Sequence, residues 1–397
     1  MGLSIFPTPS GGASYSSQPP ASASKVLLDG QLVNSSSITT TVTGTGAPWL
    51  LYANGGGTIT FTISGTPYTV TVGSTVGTSA YTGSQSVTVV ANTFATSPAP
   101  TSFTASTLPS SSAWNGVTYG NGYYVAVQGS NTTAGAYSTN GTTWTASTMP
   151  STSAWQSVTY GNGYFVAVAQ NTTAGAYSIN GISWTASTMP SSSSWTSVVY
   201  GNGYYVAVAY NTTAGAYSTN GTTWTASTLP SSSSWQSVTY GNGYYVAVAY
   251  GSTAGAYSTN GTTWTASTLP ASNGWESIAY GNGYYVAVAF NTSSNAYSTN
   301  GTTWTASTMP SSSYWDAITY GNGYFVALIF NSTTGAYSTN GTTWTSLTMP
   351  SNASWSGVVY GNGYFVSIGY SSTAGAYYSF PPLPVAYGIY NGATVRA

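Results

Sequence analysis

The chain has 397 residues, of which two are basic, three are acidic and none is His or Cys, whereas an ordinary domain carries about 25% charged residues. Zinc and thiol chemistry and His-based acid–base catalysis therefore have no side chains to use, and two cations cannot neutralise a run of phosphates or hold an anionic membrane surface. Solubility rests on Ser, Thr, Asn, Gly and Tyr, a surface suited to hydrogen bonding and stacking on neutral ligands such as sugars, with little dependence on salt.

In chain order, residues 1–24 are rich in Ser, Pro, Gly and Ala and read as an extended arm. They contain no basic n-region and no apolar run of signal-peptide length, and no run of about 18 apolar residues occurs anywhere, so neither export nor membrane insertion is expected. Residues 25–97 alternate strand-like pieces with turns: Val26–Leu28, Gln31–Val33, Ser37–Val42, Trp49–Tyr52, Thr58–Ser64, Tyr68–Val72 and Ser86–Val90. This pattern predicts a small β-sandwich or jelly-roll-like docking domain. Residues 98–100 are its linker.

Residues 101–379 are governed by a repeat. Trp recurs at 114, 155, 195, 235, 275, 315 and 355, and every interval is 40 residues except the first, which is 41 because of one extra residue in Gln128-Gly129-Ser130. In the second copy, Trp155–Tyr160 and Tyr164–Ala169 flank Gly161-Asn162-Gly163, and a segment through Ala176, Tyr177 and Ser178 is separated by Asn180-Gly181 from a fourth that carries Trp184. Asn-Gly between strands is a strong hairpin signal because both residues accept the positive φ of a type I′ turn. Both junctions are predicted as tight turns, with a looser connection between the second and third strands. A four-stranded meander of this length is the size of one propeller blade. The last copy runs into Phe380-Pro381-Pro382 without a fourth strand, while residues 101–107 repeat fourth-strand text ahead of the first copy. Those residues are expected to complete the last blade and close a ring, since closure removes an exposed edge. The predicted fold is all-β, a seven-bladed β-propeller preceded by the small domain, with 380–397 as a C-terminal tail.

The run Tyr177-Ser178-Ile179-Asn180-Gly181-Ile182-Ser183-Trp184 resembles a degenerate Asp-box, the S-x-D-x-G-x-x-W hairpin of sialidase-type propellers, with Asn in place of the Asp and a loop one residue shorter. The resemblance implies the fold and not the activity. Sialidases need an arginine cluster and a Tyr nucleophile with its Glu, and residues 101–379 hold no Arg. Taken whole, the repeat is similar to propeller repeats of bacteriophage tail-fibre and other virion proteins. That resemblance implies a non-enzymatic virion component without cofactors, attached to other virion proteins through its N-terminal arm and domain, compatible with a homo-oligomer, and binding host-surface glycan. A passive capsid decoration or head fibre, and a bacterial lectin-like adhesin, are the alternative roles.

Aromatic residues that recur at one position in every copy, such as Trp155 and Tyr160, read as packing between blades. Candidate ligand contacts are what varies on this uniform background, on the face opposite the Asn-Gly turns. One set follows each Trp: Asn115, Gln156, Thr196, Gln236, Glu276, Asp316 and Ser356. The other ends the second strand: Gln170, Tyr210, Tyr250, Phe290, Phe330 and Tyr370. Polar groups near the channel mouth with aromatics farther out could fix a sugar. Glu276 and Asp316, on adjacent blades, could also accept hydroxyl hydrogen bonds or share a weakly bound Ca²⁺, although two carboxylates alone make a poor site.

Overall fold

The computed structural model describes residues 25–28, 37–54, 57–71, 75–94, 99–380 and 386–391, with no helix among them. They fall into two units, Ala99–Ser379 and a smaller one drawn from both ends of the chain.

In the larger unit each repeat is an antiparallel meander. The inner strand of the second repeat, the end of Thr145–Gly161, pairs with Tyr164–Gln170, which pairs with Thr172–Ser178, which pairs with the start of Thr185–Gly201. The rest of Thr185–Gly201 opens the next repeat, with Trp195 opposite Ala209. One continuous strand thus serves as the outer strand of one blade and the inner strand of the next. Pro150 lies between its two paired stretches, where no ladder partner needs the N–H that proline lacks.

The two Asn-Gly junctions are built differently. Asn162 and Gly163 have φ of 43° and 84°, a type I′ turn. At Asn180-Gly181 only the glycine has positive φ, 70°, so the expectation of a second type I′ turn is corrected. Side-chain acceptors organise this loop instead. Asn180 Oδ1 accepts the N–H groups of Ile182 and Ser183, each at 3.0 Å. Ser178 Oγ accepts the N–H of Gly181 at 2.9 Å and donates to Asn180 Oδ1 at 3.0 Å. This is Asx-type chemistry, in which a short polar side chain replaces a backbone partner. The connection between second and third strands turns at a single residue, Asn171, with φ of 54°.

Blades meet through aromatic residues. Trp195 shares one core with Val166 and Val168 of the preceding blade and with Val198, Tyr205 and Trp224 of its own. The Tyr205 hydroxyl donates to the carbonyl of Gly161 across the seam, and burial pushes its phenol pKa strongly up. Gly161 is required for a different reason from Gly163. A Cβ there would lie 2.0 Å from Cγ of Tyr200 in the next blade, so the ring packs where a side chain would be.

The ring closes on itself. Thr104–Ser112 pairs with Ser372–Ser379, from Tyr377 opposite Thr104 to Ala374 opposite Thr107, while Phe103 donates its N–H to the carbonyl of Thr348 at 2.9 Å. On the other side of the seam, Ser356 Oγ donates to the carbonyl of Trp114 at 2.5 Å, and Val366 and Ile368 share a core with Leu108, Trp114 and Tyr124.

The smaller unit is one six-stranded sheet in the order Lys25–Leu28, Ala386–Asn391, Ser37–Asn54, Thr75–Phe94, Gly57–Ile63 and Thr66–Thr71. It corrects the sequence reading twice. Ser37–Val42 and Trp49–Tyr52, read as separate strands from the sequence, belong to one long strand, paired with Thr75–Phe94 and irregular around Pro48. Within the tail, Ala386–Asn391 is a strand inserted between Lys25–Leu28 and Ser37–Asn54. Leu51, Phe61, Ile63, Val70 and Val87 are fully buried. The arm 1–24, the strand proposed at Gln31–Val33 and linker residue 98 lie outside the described residues.

Two outcomes follow for stability. A propeller truncated to begin at residue 110 loses four strand pairs and the buried Phe103 and Leu108. It should melt well below one beginning at residue 99, since deleting a single buried Leu side chain alone costs about 2–5 kcal/mol; equal melting temperatures would refute the closure. Gly161→Ala should destabilise by roughly 2–3 kcal/mol or more through overpacking. Gly163→Ala, which meets no neighbour within 4 Å, should cost only the about 1–2 kcal/mol of left-handed backbone. Urea unfolding of both variants measures the difference.

Candidate functional site

The residue after each Trp sits in a break of the strand ladder. Register shifts fall between Trp114 and Gly116, Trp155 and Ser157, and at the equivalent step of the other repeats, leaving Asn115, Gln156, Thr196, Gln236, Glu276, Asp316 and Ser356 as the extra residue each time. A bulge frees a side chain from the ladder and re-aims it. All of these side chains line one cavity of about 370 Å³. The walls below are the inner strands, including Ser157, Ser197 and Ser237. Their hydroxyls stitch blade to blade: Val198 donates its N–H to Ser157 Oγ at 3.2 Å, Val238 to Ser197 Oγ at 3.2 Å and Ile278 to Ser237 Oγ at 3.3 Å. These serines escaped the sequence reading because they vary too little between repeats to stand out.

The second candidate set divides. Phe330 and Tyr370 reach the cavity, whereas Gln170, Tyr210, Tyr250 and Phe290 are not among its lining residues. Phe290 is held instead against Tyr314, stacked at 4.5 Å and 22°. Tyr250 is 36% exposed at the surface. Phe330 and Tyr370 sit 6.2 Å apart in a tilted pair, on the two blades that follow Glu276.

Around the ring, polar groups pair with neighbours. Asn115 Nδ2 donates to Gln156 Oε1 at 2.5 Å, and Gln236 Nε2 donates to Glu276 Oε1 at 2.5 Å. Thr196 Oγ1 donates to the carbonyl of Trp235 at 2.7 Å, and Ser356 Oγ turns to the carbonyl of Trp114. The two acids behave differently from the rest. Burial pushes the Glu276 carboxyl up to about 7, against the lowering effect of the Gln236 hydrogen bond. Burial also holds Asp316 well above the ordinary carboxylate range, and the neighbouring Glu276 charge raises it further. Both keep partial water contact through the cavity. Ala99–Ser379 contains no Lys, Arg or His to offset them. Among the described residues no group of three or more His, Cys, Asp or Glu that could hold a metal occurs.

Raised carboxyl pKa values mean that the folded protein binds more protons than the unfolded chain, so stability falls as pH rises from the ordinary Glu value of about 4.5 through about 7. Wild type should be less stable at pH 8 than at pH 4.5 by roughly 1–3 kcal/mol, and the double variant Glu276→Gln/Asp316→Asn should flatten the profile. Urea unfolding followed by Trp fluorescence reads this unit, because every Trp except Trp49 lies within it.

No protein-family model and no curated protein matches the sequence. Among solved structures, a streptogramin B lyase superposes with a TM-score of 0.63 at 15% identity, over 70% of this chain and 97% of that one. A catalytically inactive His-to-Ala form of virginiamycin B lyase from Staphylococcus aureus, solved with quinupristin, gives 0.63 at 14% identity, over 69% and 98%. YCF48 bound to D1 peptide gives 0.57 at 14% identity, over 70% and 94%. Likeness at these identities shows the fold alone: residues 99–379 form a β-propeller.

Proposed function

We propose that this chain is a non-enzymatic structural protein of a tailed-bacteriophage virion, whose propeller attaches to host-surface glycan through the cavity at the channel mouth. One observation carries the site. On a scaffold whose repeats are otherwise nearly identical, each variable residue after a Trp is freed by a bulge and turned into the same cavity. Amide, hydroxyl and carboxyl groups at its rim, with Phe330 and Tyr370 beside them, are what a sugar needs for hydrogen bonding and stacking. The virion setting rests on the resemblance of the repeat text to phage propellers. Docking through residues 1–97 belongs to the same reading.

The non-enzymatic part rests on chemistry. The lyase variant described as catalytically inactive lacks a His, and this chain has none to begin with. Glu276 and Asp316 form a neighbouring acid pair in a unit with no Lys, Arg or His. That pair can bind, but burial raises both carboxyls in the same direction, so neither is held ionised as the base or nucleophile partner that hydrolysis of a glycoside needs.

Purified protein should bind host cells or their isolated surface polysaccharide. Gln156→Ala, Gln236→Ala and Tyr370→Ala, combined, should weaken that binding at least about tenfold, which is about 1.4 kcal/mol, with the melting temperature nearly unchanged. Attachment that survives these changes, or the absence of attachment by the unaltered protein, as a passive capsid decoration would show, defeats the proposal. Glycoside turnover abolished by Glu276→Gln would defeat its non-enzymatic part.

A further inference from the structure

We infer that the cavity recognises a ligand carrying a protonated primary amine, of the amino-sugar class, with the ammonium held between Glu276 and Asp316. The inference deepens the proposed attachment site and rests on that reading for its biological setting, but its chemistry stands separately.

Two acids occupy adjacent bulges in a unit that contains no Lys, Arg or His. Asp316 lines the cavity, is largely enclosed by protein while keeping partial contact with cavity water, and makes no hydrogen bond among the described residues. Glu276 has a single amide partner, Gln236. A buried carboxyl without a counter-charge is costly to ionise, and within this fold only a proton can neutralise it. A cation brought by a ligand would take over that role, and the pair supplies acceptors for its N–H groups.

The surroundings select among cations. Ca²⁺ takes about 6–8 oxygen ligands, but Gln236 presents its amide nitrogen to Glu276, the Ser356 hydroxyl is turned to the Trp114 carbonyl, and the rings of Phe330 and Tyr370 also line the cavity. Aromatic rings and carboxyls lining one cavity suit an ammonium on a carbon skeleton. A cavity of about 370 Å³ also exceeds the size of a bare ion and admits a monosaccharide. Away from the acids, Asn115 and Gln156 engage each other and Thr196 is bonded to backbone, so the opposite wall is neutral and suited to hydroxyls. The ligand is thereby oriented, amine towards blades carrying Glu276 and Asp316.

Isothermal titration of the full-length chain with glucosamine, N-acetylglucosamine, glucose and calcium chloride tests this. Glucosamine should bind at least about tenfold more tightly than the acetylated or amine-free sugar, the fold-change expected of one charge-assisted hydrogen bond. The titratable groups facing the cavity are Glu276, Asp316 and Tyr370. Affinity should rise as pH increases from 5 towards 7, because binding favours the ionised carboxyls, and complex formation near pH 6 should release protons, seen as buffer-dependent heat. Glu276→Gln/Asp316→Asn should abolish both the preference and the proton release while keeping the melting temperature at or above that of wild type at pH 7. Equal binding of the three sugars, binding of none, or calcium binding in place of glucosamine overturns the inference. Selective glucosamine binding together with host attachment unaffected in the double variant would uphold this site and refute its role in attachment.

Discussion

Each blade is held by what it buries against its two neighbours, and nothing ionic helps. The propeller contains no basic side chain, so the seams depend on apolar area and on hydrogen bonds made in the absence of water. Trp195 and Tyr205 fill the space between two sheets, the Tyr205 hydroxyl satisfies a carbonyl on the far side, and Gly161 is bare so that the ring of Tyr200 can come in. A seam of this kind has two sides, and an open array would leave one of them wet at each end. Ring closure through Thr104–Ser112 is therefore a condition of stability rather than an ornament of topology.

The same constraint explains where variation is tolerated. Positions in the seams are fixed by volume, and the loop of Ser178 and Asn180 is fixed by its hydrogen bonds. The bulge residue after each Trp is bound by neither requirement. Its side chain leaves the ladder for the channel, so Asn, Gln, Thr, Glu, Asp and Ser can occupy it without disturbing the blade. Both acids of the propeller fall at such positions on neighbouring blades. Enclosure that would be harmless for an amide raises the pKa of a carboxyl, and this makes one sector of an otherwise neutral rim chemically distinct.

Both units also draw on distant parts of the chain. The last blade needs a strand from before the first, and the sheet of residues 25–94 takes its second strand from Ala386–Asn391. Neither unit is complete until the whole repeat array has been made. Long-range pairing of this sort carries a loop-closure cost that local meanders avoid, which makes the uniform hairpins of each repeat the parts able to form first.

The sequence by itself determined the repeat, its four strands, the I′ turn at Asn162-Gly163 and the need for an orphan strand to close the ring, because these are local or periodic features written in residue type and spacing. It also singled out the seven variable positions. Tertiary structure alone decided which candidates share a cavity: Phe330 and Tyr370 reach it while Phe290 is captured by Tyr314, a matter of packing between residues that pattern cannot rank. It decided that Asn180 caps a loop through its side chain, although the Asn-Gly text is the same as in a type I′ turn. It decided that Ala386–Asn391 is a strand, since a lone segment with no repeat partner gains its structure only from the two strands it lies between. Finally, burial and proximity, which no composition reveals, set the pKa values of Glu276 and Asp316.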